Sequence, residues 1–324
     1  MEYVPLGPTG VKVSRICLGT ATFGVAPTEG DADRVVNAAL DLGINFFDTA
    51  NVYGHMPTFD RPGAPPSSER QPAEQLLGRA LAGRRDDVVL ATKSGEVVGS
   101  GVNDRGLSRR HILQQVENSL RRLGTDYIDL YYAHAPDADT AVEQTMSTYA
   151  DLVRQGKVRH VALSNYPAWQ VTQALWIAED RHVPAPVCVQ VKYNLIDRTA
   201  ERELAAACVQ FGLSLVPYAP LHGGLLAGTQ VLEREVPGDM RFSGPGFGAA
   251  ELQVGGAVEQ LSHEWELTPA QVSLAWLLSR PAVASAIVGA ETVDEVTANA
   301  SAADVALESA QLDALTALSG DTTG

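Results

Sequence analysis

The feature that most limits the fold of this chain is a repeated alternation between short apolar runs and stretches of helical periodicity. Apolar runs of strand length recur eight times along the 324 residues, and nearly all are followed closely by a helical pattern. This alternation predicts parallel strands joined by right-handed helical crossovers. The predicted strands cover residues 16–18, 45–48, 88–93, 127–132, 158–163, 187–191, 214–217 and 284–288.

A doubly wound open sheet and a closed eight-stranded barrel both satisfy this alternation. The glycine pattern Gly-x-Gly-x-x-Gly, typical of the open sheet, does not follow the first strand. In an open sheet, functional residues gather at the topological switch point, where the strand order reverses. Here polar residues follow the ends of many strands, which favours the barrel. The sequence therefore predicts a (β/α)8 fold, or TIM barrel, formed as a single domain over residues 1–324. A β-hairpin around the turn at 7–10 and an extra C-terminal helix at 308–319 complete the prediction.

Helical periodicity and capping residues predict the helices that connect these strands. They cover residues 31–42, 73–82, 108–123, 140–155, 167–180, 199–211 and 268–279. The tryptophans lie on helical segments, and we expect them to pack between the helices and the barrel. They are Trp169, Trp176, Trp265 and Trp276.

The charge balance excludes several classes of partner. Acidic residues outnumber basic ones by 39 to 24, so the formal net charge is -15 at pH 7. A surface of this sign repels nucleic acid and anionic membranes, and neither is a predicted partner. Cys17, Cys188 and Cys208 are odd in number and widely spaced, which predicts a reduced compartment and no metal site. The start resembles no secretory signal, and no apolar run is long enough to cross a membrane, so we expect a cytoplasmic protein.

Ionisable side chains leave three of the predicted strands at equivalent places. Asp48, Lys93 and His134 stand at the ends of the second, third and fourth strands, and Tyr53 follows Asp48 by five residues. Because a barrel collects the carboxyl ends of its strands on one face, we expect these four side chains to converge there.

Together the four groups indicate a reaction class. A phenol titrates near roughly 10, and an adjacent ammonium lowers that pKa by stabilising the phenolate. Tyr53 is then a proton donor, Lys93 tunes it, and Asp48 anchors Lys93. A histidine such as His134 can donate to a carbonyl oxygen as negative charge develops there. The set suits hydride addition from a cofactor to a carbonyl, and the reverse oxidation of an alcohol.

Longer motifs now identify a family resemblance. The chain resembles the aldo-keto reductases, in the bacterial branch related to potassium-channel β subunits. The resemblance covers nearly the whole chain, and its motifs are specific in this order and spacing. They include Asn45-x-x-Asp48-Thr49-Ala50-x-x-Tyr53-Gly54, Asp129-Leu130-Tyr131-x-x-His134-x-Pro136-Asp137, Gln190-x-x-Tyr193-Asn194 and Tyr218-x-Pro220-Leu221.

The resemblance implies a nicotinamide cofactor across the C-terminal face, and a catalytic role for Asp48, Tyr53, Lys93 and His134. It implies that Ser164, Asn165 and Gln190 hold the nicotinamide carboxamide and that Tyr218 stacks on the nicotinamide ring. It also implies that the loop 221–228 covers the pyrophosphate and that residues 289–299 hold the adenosine. The cofactor residues it implies are Gly19, Thr20, Asp48, Ser164, Asn165, Gln190, Tyr218, Pro220, Leu221, Gly223, Leu226, Gly228, Arg241, Gly289, Glu291, Glu295 and Asn299.

The choice between the two nicotinamide dinucleotides stays open on the sequence. Family resemblance implies NADP(H), but Glu291 and Glu295 stand where relatives commonly carry a cation, and no Lys or Arg follows Arg280. A carboxylate repels the 2′-phosphate and accepts from a ribose hydroxyl, which favours NAD(H). In the alternative, both glutamates face solvent, and the phosphate is held by Thr292, the helix N-terminus and Arg241.

The segment after Tyr53 is long and rich in proline. Residues 55–72 contain Pro57, Pro62, Pro65, Pro66 and Pro72. A stiff loop at this rim borders the substrate pocket, although a plain surface excursion is an equal alternative. The pocket residues predicted here are Phe23, His55, Met56 and Phe59.

The favoured function is reduction of a small carbonyl substrate, or oxidation of the corresponding alcohol. The sequence identifies neither the substrate nor the oligomeric state. Two alternatives remain: a regulatory subunit that binds the cofactor with negligible turnover, and a lyase or isomerase that uses Lys93 as a Schiff base.

Overall fold

A closed barrel of parallel strands forms the centre of the molecule. The computed structural model describes residues 1–233 and 246–319. Its eight-stranded sheet runs in the order β10-β3-β4-β5-β6-β7-β8-β9, and all neighbouring strands are parallel. These strands are β3 Ile16–Gly19, β4 Phe46–Asp48, β5 Val89–Ser94, β6 Ile128–Ala133, β7 Val158–Ser164, β8 Cys188–Lys192, β9 Ser214–Tyr218 and β10 Ala286–Gly289.

The barrel closes between β9 and the segment that leads into β10. The backbone N–H of Leu215 donates to the Ala282 carbonyl at 2.7 Å, and the Ala284 N–H donates to the Leu215 carbonyl at 2.9 Å. A parallel bridge between Leu215 and Val283 lies between them. The predicted (β/α)8 barrel is therefore confirmed, and each predicted strand is present.

The predicted hairpin is also present, at the N-terminal end of the barrel. Strands β1 Tyr3–Pro5 and β2 Lys12–Ser14 pair in antiparallel register. The Gly7 N–H donates to the Ser214 hydroxyl at 2.8 Å, at the first residue of β9. The hairpin therefore covers the end of the barrel at which the strands begin. The hairpin leaves uncovered the opposite end of the barrel, where the strands end and the predicted site residues lie.

Helices surround the barrel. They are α1 Ala32–Asp41, α2 Ala73–Ala80, α3 Arg109–Leu123, α4 Val142–Arg154, α5 Ala168–Arg181, α6 Leu204–Phe211, α7 Ala249–Glu264, α8 Pro269–Leu278, α9 Val293–Ser301 and the C-terminal α10 Ser309–Leu318.

Three differences from the sequence prediction concern these helices, and one is that α9 is present although it is not among the predicted helices. The predicted helix 199–211 is interrupted, because Thr199–Glu201 is a 3₁₀ turn and α6 begins only at Leu204. Helix α7 was not predicted from the sequence, since it is rich in small residues and buries only a narrow strip around Val254 and Val258.

The prediction for the tryptophans is wrong for two of them. Trp276 is buried, but Trp169 and Trp176 are 63% and 64% exposed. Helix α5 buries Val171 and Ala174 against the barrel. Trp169 and Trp176 are two turns apart on its other face, so they point away from the core.

The alternation of side chains along each strand divides the core into two layers. On β4, Phe46 is buried inside the barrel and Phe47 packs outward against the helices. Inward residues on neighbouring strands include Ala91 on β5 and Tyr132 on β6. Because strand side chains have a period of two, the next inward positions are Asp48, Lys93 and the residue after β6, His134.

Helix α2, which follows β4, packs closely on α3, which follows β5. This contact gives a test of the fold. A Cβ added at Gly78 on α2 would lie 2.5 Å from the backbone oxygen of Leu123 at the end of α3. We expect Gly78→Ala to lower the free energy of unfolding by about 1–3 kcal/mol, because backbone cannot yield as a side chain does.

The matched control is Gly256→Ala on α7, where an added Cβ meets nothing within 4 Å. Helix propensity then predicts a gain of up to about 1 kcal/mol. Urea unfolding measures both variants, and wild-type stability in Gly78→Ala would contradict the packing.

Candidate active site

The four predicted residues meet at the C-terminal mouth of the barrel, and the ammonium of Lys93 lies at their centre. Its Nζ donates to Asp48 Oδ1 at 2.5 Å, to the Thr49 carbonyl at 2.8 Å and to the Tyr53 hydroxyl at 3.2 Å. The Lys93 side chain is fully buried and that of Asp48 is 3% exposed. A buried ammonium is stable only when its protons have partners, and here each has one.

The second oxygen of Asp48 is also bonded. Gln190 Nε2 on β8 donates to Asp48 Oδ2 at 2.8 Å. Burial raises the pKa of the Asp48 carboxyl above its ordinary value, while the Lys93 ammonium and the Gln190 amide oppose that rise. Burial lowers the pKa of Lys93, but Asp48 and Tyr53 outweigh it, so the ammonium is favoured. The Asp48–Lys93 pair therefore keeps the Lys93 ammonium charged inside the barrel.

The loop that carries Tyr53 is fixed from behind by α3. Asn51 Nδ2 donates to Gln115 Oε1 at 3.1 Å, and Arg122 Nη1 donates to the Asn51 carbonyl at 3.0 Å. Arg122 also pairs with the buried carboxylate of Glu74 on α2 at 3.3 Å. These contacts fix the backbone between Asp48 and Tyr53, and they thereby fix the position of the Tyr53 phenol.

The pKa of Tyr53 departs from the sequence expectation. Burial raises the pKa of the Tyr53 phenol, and the lowering by the Lys93 ammonium is smaller, so the net direction is upward. The expected influence of Lys93 is present, but desolvation exceeds it. The phenol is therefore protonated at neutral pH, which is the state of a proton donor.

His134 stands beside Tyr53 at the end of β6. The two rings are 5.8 Å apart between centroids and meet edge to face. Burial, with a smaller contribution from the Lys93 ammonium, lowers the pKa of His134 to about 3. Its Nδ1 is buried without a hydrogen-bond partner among the described residues. His134 is therefore a neutral imidazole at physiological pH.

A short hydrogen-bond chain lines the neighbouring wall. Asn165 Nδ2 donates to the His134 carbonyl at 2.9 Å and to the Ser164 hydroxyl at 3.2 Å. The Tyr218 hydroxyl donates to Asn165 Oδ1 at 3.0 Å. These groups come from the ends of β6, β7 and β9, so the barrel itself sets their spacing.

One continuous cleft of about 630 Å³ joins these groups to the start of α9. Its volume lies within the range of roughly 300–1,000 Å³ that small-molecule sites occupy. The predicted residues that line it are Gly19, Thr20, Asp48, Tyr53, Met56, Phe59, His134, Ser164, Asn165, Gln190, Tyr218, Pro220, Leu221, Gly223, Gly228, Gly289, Glu291, Glu295 and Asn299.

The cleft leaves some predicted residues out. Leu226 and Phe23 are fully buried in the hydrophobic core. His55 is exposed, and its Nδ1 lies 3.0 Å from the Ser67 carbonyl. Arg241 lies outside the described residues.

The cleft is also lined by residues that the sequence analysis did not single out. Most are neighbours of predicted positions, and only their place in the fold could have identified them. They are Ala21, Thr22, Glu96, Ala219, Gly224, Ala227, Gln230, Val231, Ile287 and Val288.

The surface of the cleft fits an extended dinucleotide. At Gly19 an added Cβ would lie 2.6 Å from Ile287 Cγ2, so only glycine fits at this position in the wall of the cleft. Gly223 and Gly224 have φ of 66° and 98°, which turns the backbone of the loop 221–228 into a conformation that favours glycine. Amide and hydroxyl groups lie at the Tyr53 end together with the Asp48 carboxylate, and the carboxylates of Glu291 and Glu295 lie at the α9 end.

The carboxylates at the α9 end have defined partners. Glu295 Oε2 accepts from the Glu291 N–H at 2.7 Å, and the Thr292 hydroxyl accepts from the Glu295 N–H at 3.2 Å. Glu295 is thereby held at the positive end of α9. The Glu291 carboxylate pairs with Arg61 at 3.6 Å. Neither glutamate faces only solvent.

The comparisons with known proteins agree with this geometry. A family model described as the aldo/keto reductase family matches residues 15–319. The Bacillus subtilis (strain 168) protein YrpG, an uncharacterized oxidoreductase, is 37% identical over 315 residues, or 95% of this chain and 93% of that protein.

Two other relatives have more specific names. A probable voltage-gated potassium channel subunit beta from Oryza sativa subsp. japonica is 33% identical, covering 94% of this chain and 92% of that protein. L-glyceraldehyde 3-phosphate reductase of Escherichia coli (strain K12) is 28% identical, covering 93% of this chain and 87% of that protein.

None of the helices within residues 1–233 and 246–319 combines the length and the apolar character needed to cross a bilayer.

The burial of His134 predicts its behaviour with pH. Free histidine has a pKa of roughly 6.5. Below that pH, His134 binds a proton in the unfolded chain but stays neutral in the folded protein. Between that value and the folded pKa of about 3, His134 therefore makes the fold less stable as the pH falls.

We expect the ring resonances of His134 to show no titration between about pH 5 and 8, because burial keeps the imidazole neutral. NMR of histidine-labelled protein measures this, and a His134→Asn variant assigns the signal by its loss. A titration with a midpoint near the free value would contradict the burial of this ring.

Proposed function

The chain belongs to the aldo/keto reductase family, and from that membership we propose that it reduces an aldehyde or ketone to an alcohol. Membership makes the chain an NAD(P)-dependent oxidoreductase. The proposal adds that Tyr53 is the general acid, and the general base in the reverse direction. Its support is the position of Lys93, which contacts both Asp48 and Tyr53 at the end of the cleft.

When bound, the reduced nicotinamide supplies a hydride to the carbonyl carbon. Tyr53 donates its phenolic proton to the carbonyl oxygen, so one hydride and one proton convert the carbonyl into an alcohol. The raised pKa keeps that proton on Tyr53 until negative charge develops on the oxygen. Lys93, 3.2 Å from the phenol oxygen, stabilises the phenolate that remains.

Asp48 and His134 have supporting tasks in this scheme. Asp48 keeps Lys93 charged and directs it at Tyr53. His134 Nδ1 is buried without a partner among the described residues, and a buried N–H without an acceptor is costly. We therefore assign the ring proton to Nε2, where it can donate to the carbonyl oxygen. A neutral donor adds no positive charge that would compete with Lys93.

We propose contacts for the rest of the cofactor from the chemistry of the residues that line the cleft. Ser164, Asn165 and Gln190 would hold the carboxamide, Tyr218 would cover the nicotinamide ring, and the loop 221–228 would lie over the pyrophosphate. At the other end, Glu291 and Glu295 would meet the adenosine ribose. Two carboxylates favour ribose hydroxyls over a phosphate dianion, so the proposed cofactor is NAD(H).

The Schiff-base alternative requires a neutral amine at Lys93. Each proton of this ammonium has a partner, and Asp48 and Tyr53 raise its pKa. Such a group is a poor nucleophile. The regulatory alternative differs from the proposal in one observable, because it combines dinucleotide binding with negligible turnover.

Replacing Tyr53 with Phe tests the proposal. We expect wild-type protein to oxidise NADH in the presence of members of a panel of aldehydes and ketones. Tyr53→Phe removes the proton donor, so kcat falls by about 10²-fold or more. Its affinity for NADH, measured by calorimetry, stays within about threefold because the ring remains.

The matched control is Tyr127→Phe, at the opposite end of the barrel, where the phenol donates to Asp86 on the surface. This variant keeps wild-type turnover. Equal kcat in Tyr53→Phe and wild type would contradict the role of Tyr53, and binding without turnover in wild type would favour the regulatory alternative.

A further inference from the structure

We propose that Arg61, carried by the proline-rich loop 55–72, sets the preference between NADH and NADPH through its ion pair with Glu291. The inference rests on the proposed function, because it concerns the adenosine end of the same cleft. It makes a loop at the substrate rim a determinant of cofactor choice.

The first observation is the contact itself. Arg61 Nη2 lies 3.6 Å from Glu291 Oε2, and the two side chains are only 17% and 19% exposed. The same nitrogen approaches the Val25 carbonyl at 3.4 Å. Glu291 lines the cleft beside Glu295, so the guanidinium of Arg61 reaches the wall of the adenosine end.

The second observation is that the loop has a fixed shape. Arg70 is buried, and it donates to the carbonyls of Gly54 and Met56 at 2.8 and 3.0 Å and to the Asp60 carboxylate at 2.6 Å. These bonds join the two ends of the segment that precedes Arg61. The reach of Arg61 is therefore set by the fold, and little entropy is lost in placing it.

The loop is also tied to the body of the protein. The Gln71 backbone N–H and side-chain amide donate to the two carboxylate oxygens of Glu29 at 2.9 and 2.8 Å. Met56 and Phe59 line the cleft near Tyr53, whereas Arg61 reaches Glu291. One loop thus lines the cleft through Met56 and Phe59 and contacts Glu291, at the adenosine end, through Arg61.

Charge then decides what Arg61 does. Glu295 is held at the start of α9, where an anion would otherwise be favoured. The 2′-phosphate of NADPH would meet this carboxylate and would compete with Glu291 for the guanidinium of Arg61. An arginine binds a phosphate through two parallel N–H bonds as readily as it binds a carboxylate. Glu291 therefore keeps Arg61 from acting as a phosphate ligand.

A double-mutant cycle of Arg61→Gln, Glu291→Gln and the double variant tests this competition. Calorimetric titrations with NADH, NADPH and the fragment 2′,5′-ADP measure binding without turnover. Glu291→Gln removes a carboxylate that pairs with Arg61, so we expect the affinity for NADPH and for 2′,5′-ADP to rise about tenfold. Adding Arg61→Gln abolishes that gain, because the cation is lost. Affinity for NADH changes less in both steps.

Two controls keep the cycle interpretable. Arg84→Gln removes the same charge from an exposed pair with Asp87, so it measures the general effect of net charge. Arg61→Lys keeps the charge but loses the planar fork, and combined with Glu291→Gln it retains only part of the gain. If Arg61→Gln fails to fold, this lysine variant completes the cycle.

The outcomes separate the inference from the proposed function. A gain from Glu291→Gln that persists without Arg61, or that Arg84→Gln alters equally, would overturn the role of Arg61. No gain for NADPH in Glu291→Gln would overturn it as well. Failure of wild-type protein to bind either dinucleotide would instead remove the proposed function on which the inference rests.

Discussion

The buried ion pair of Lys93 with Asp48 is the interaction on which the rest of the site depends. Taking both charges out of water is costly, and the barrel offsets that cost with the Thr49 carbonyl, the Gln190 amide and the Tyr53 hydroxyl. The same contacts determine the chemistry. They orient a positive charge toward one phenol, and that charge adds to the larger effect of burial in lowering the pKa of His134, which therefore stays neutral.

The alternation of side chains along the strands explains why so much of this site could be predicted. Asp48 and Lys93 stand two positions beyond the inward residues Phe46 and Ala91, and Gln190 stands two beyond Cys188. A barrel turns each such position toward its axis at one face. The sequence therefore predicted the fold, the hairpin and the convergence of the four groups, since these follow from local periodicity.

Contacts between distant loops could not be predicted in the same way. Arg61 and Glu291 come from opposite ends of the chain, and no spacing rule connects a proline-rich loop with the start of α9. The direction of the Tyr53 pKa depends on how deeply the phenol is buried, which the sequence does not give. The exposure of Trp169 and Trp176 likewise depends on which face of α5 meets the barrel.

Transfer of a hydride between a nicotinamide and a carbonyl is the reaction proposed for this cleft. Reduction of an aldehyde with NADH deuterated at C4 tests it directly, with the alcohol analysed by mass spectrometry. We expect the alcohol to carry deuterium at the former carbonyl carbon, from one face of the nicotinamide only. An alcohol without deuterium from either labelled face, or no alcohol from any carbonyl in a broad panel, would contradict it.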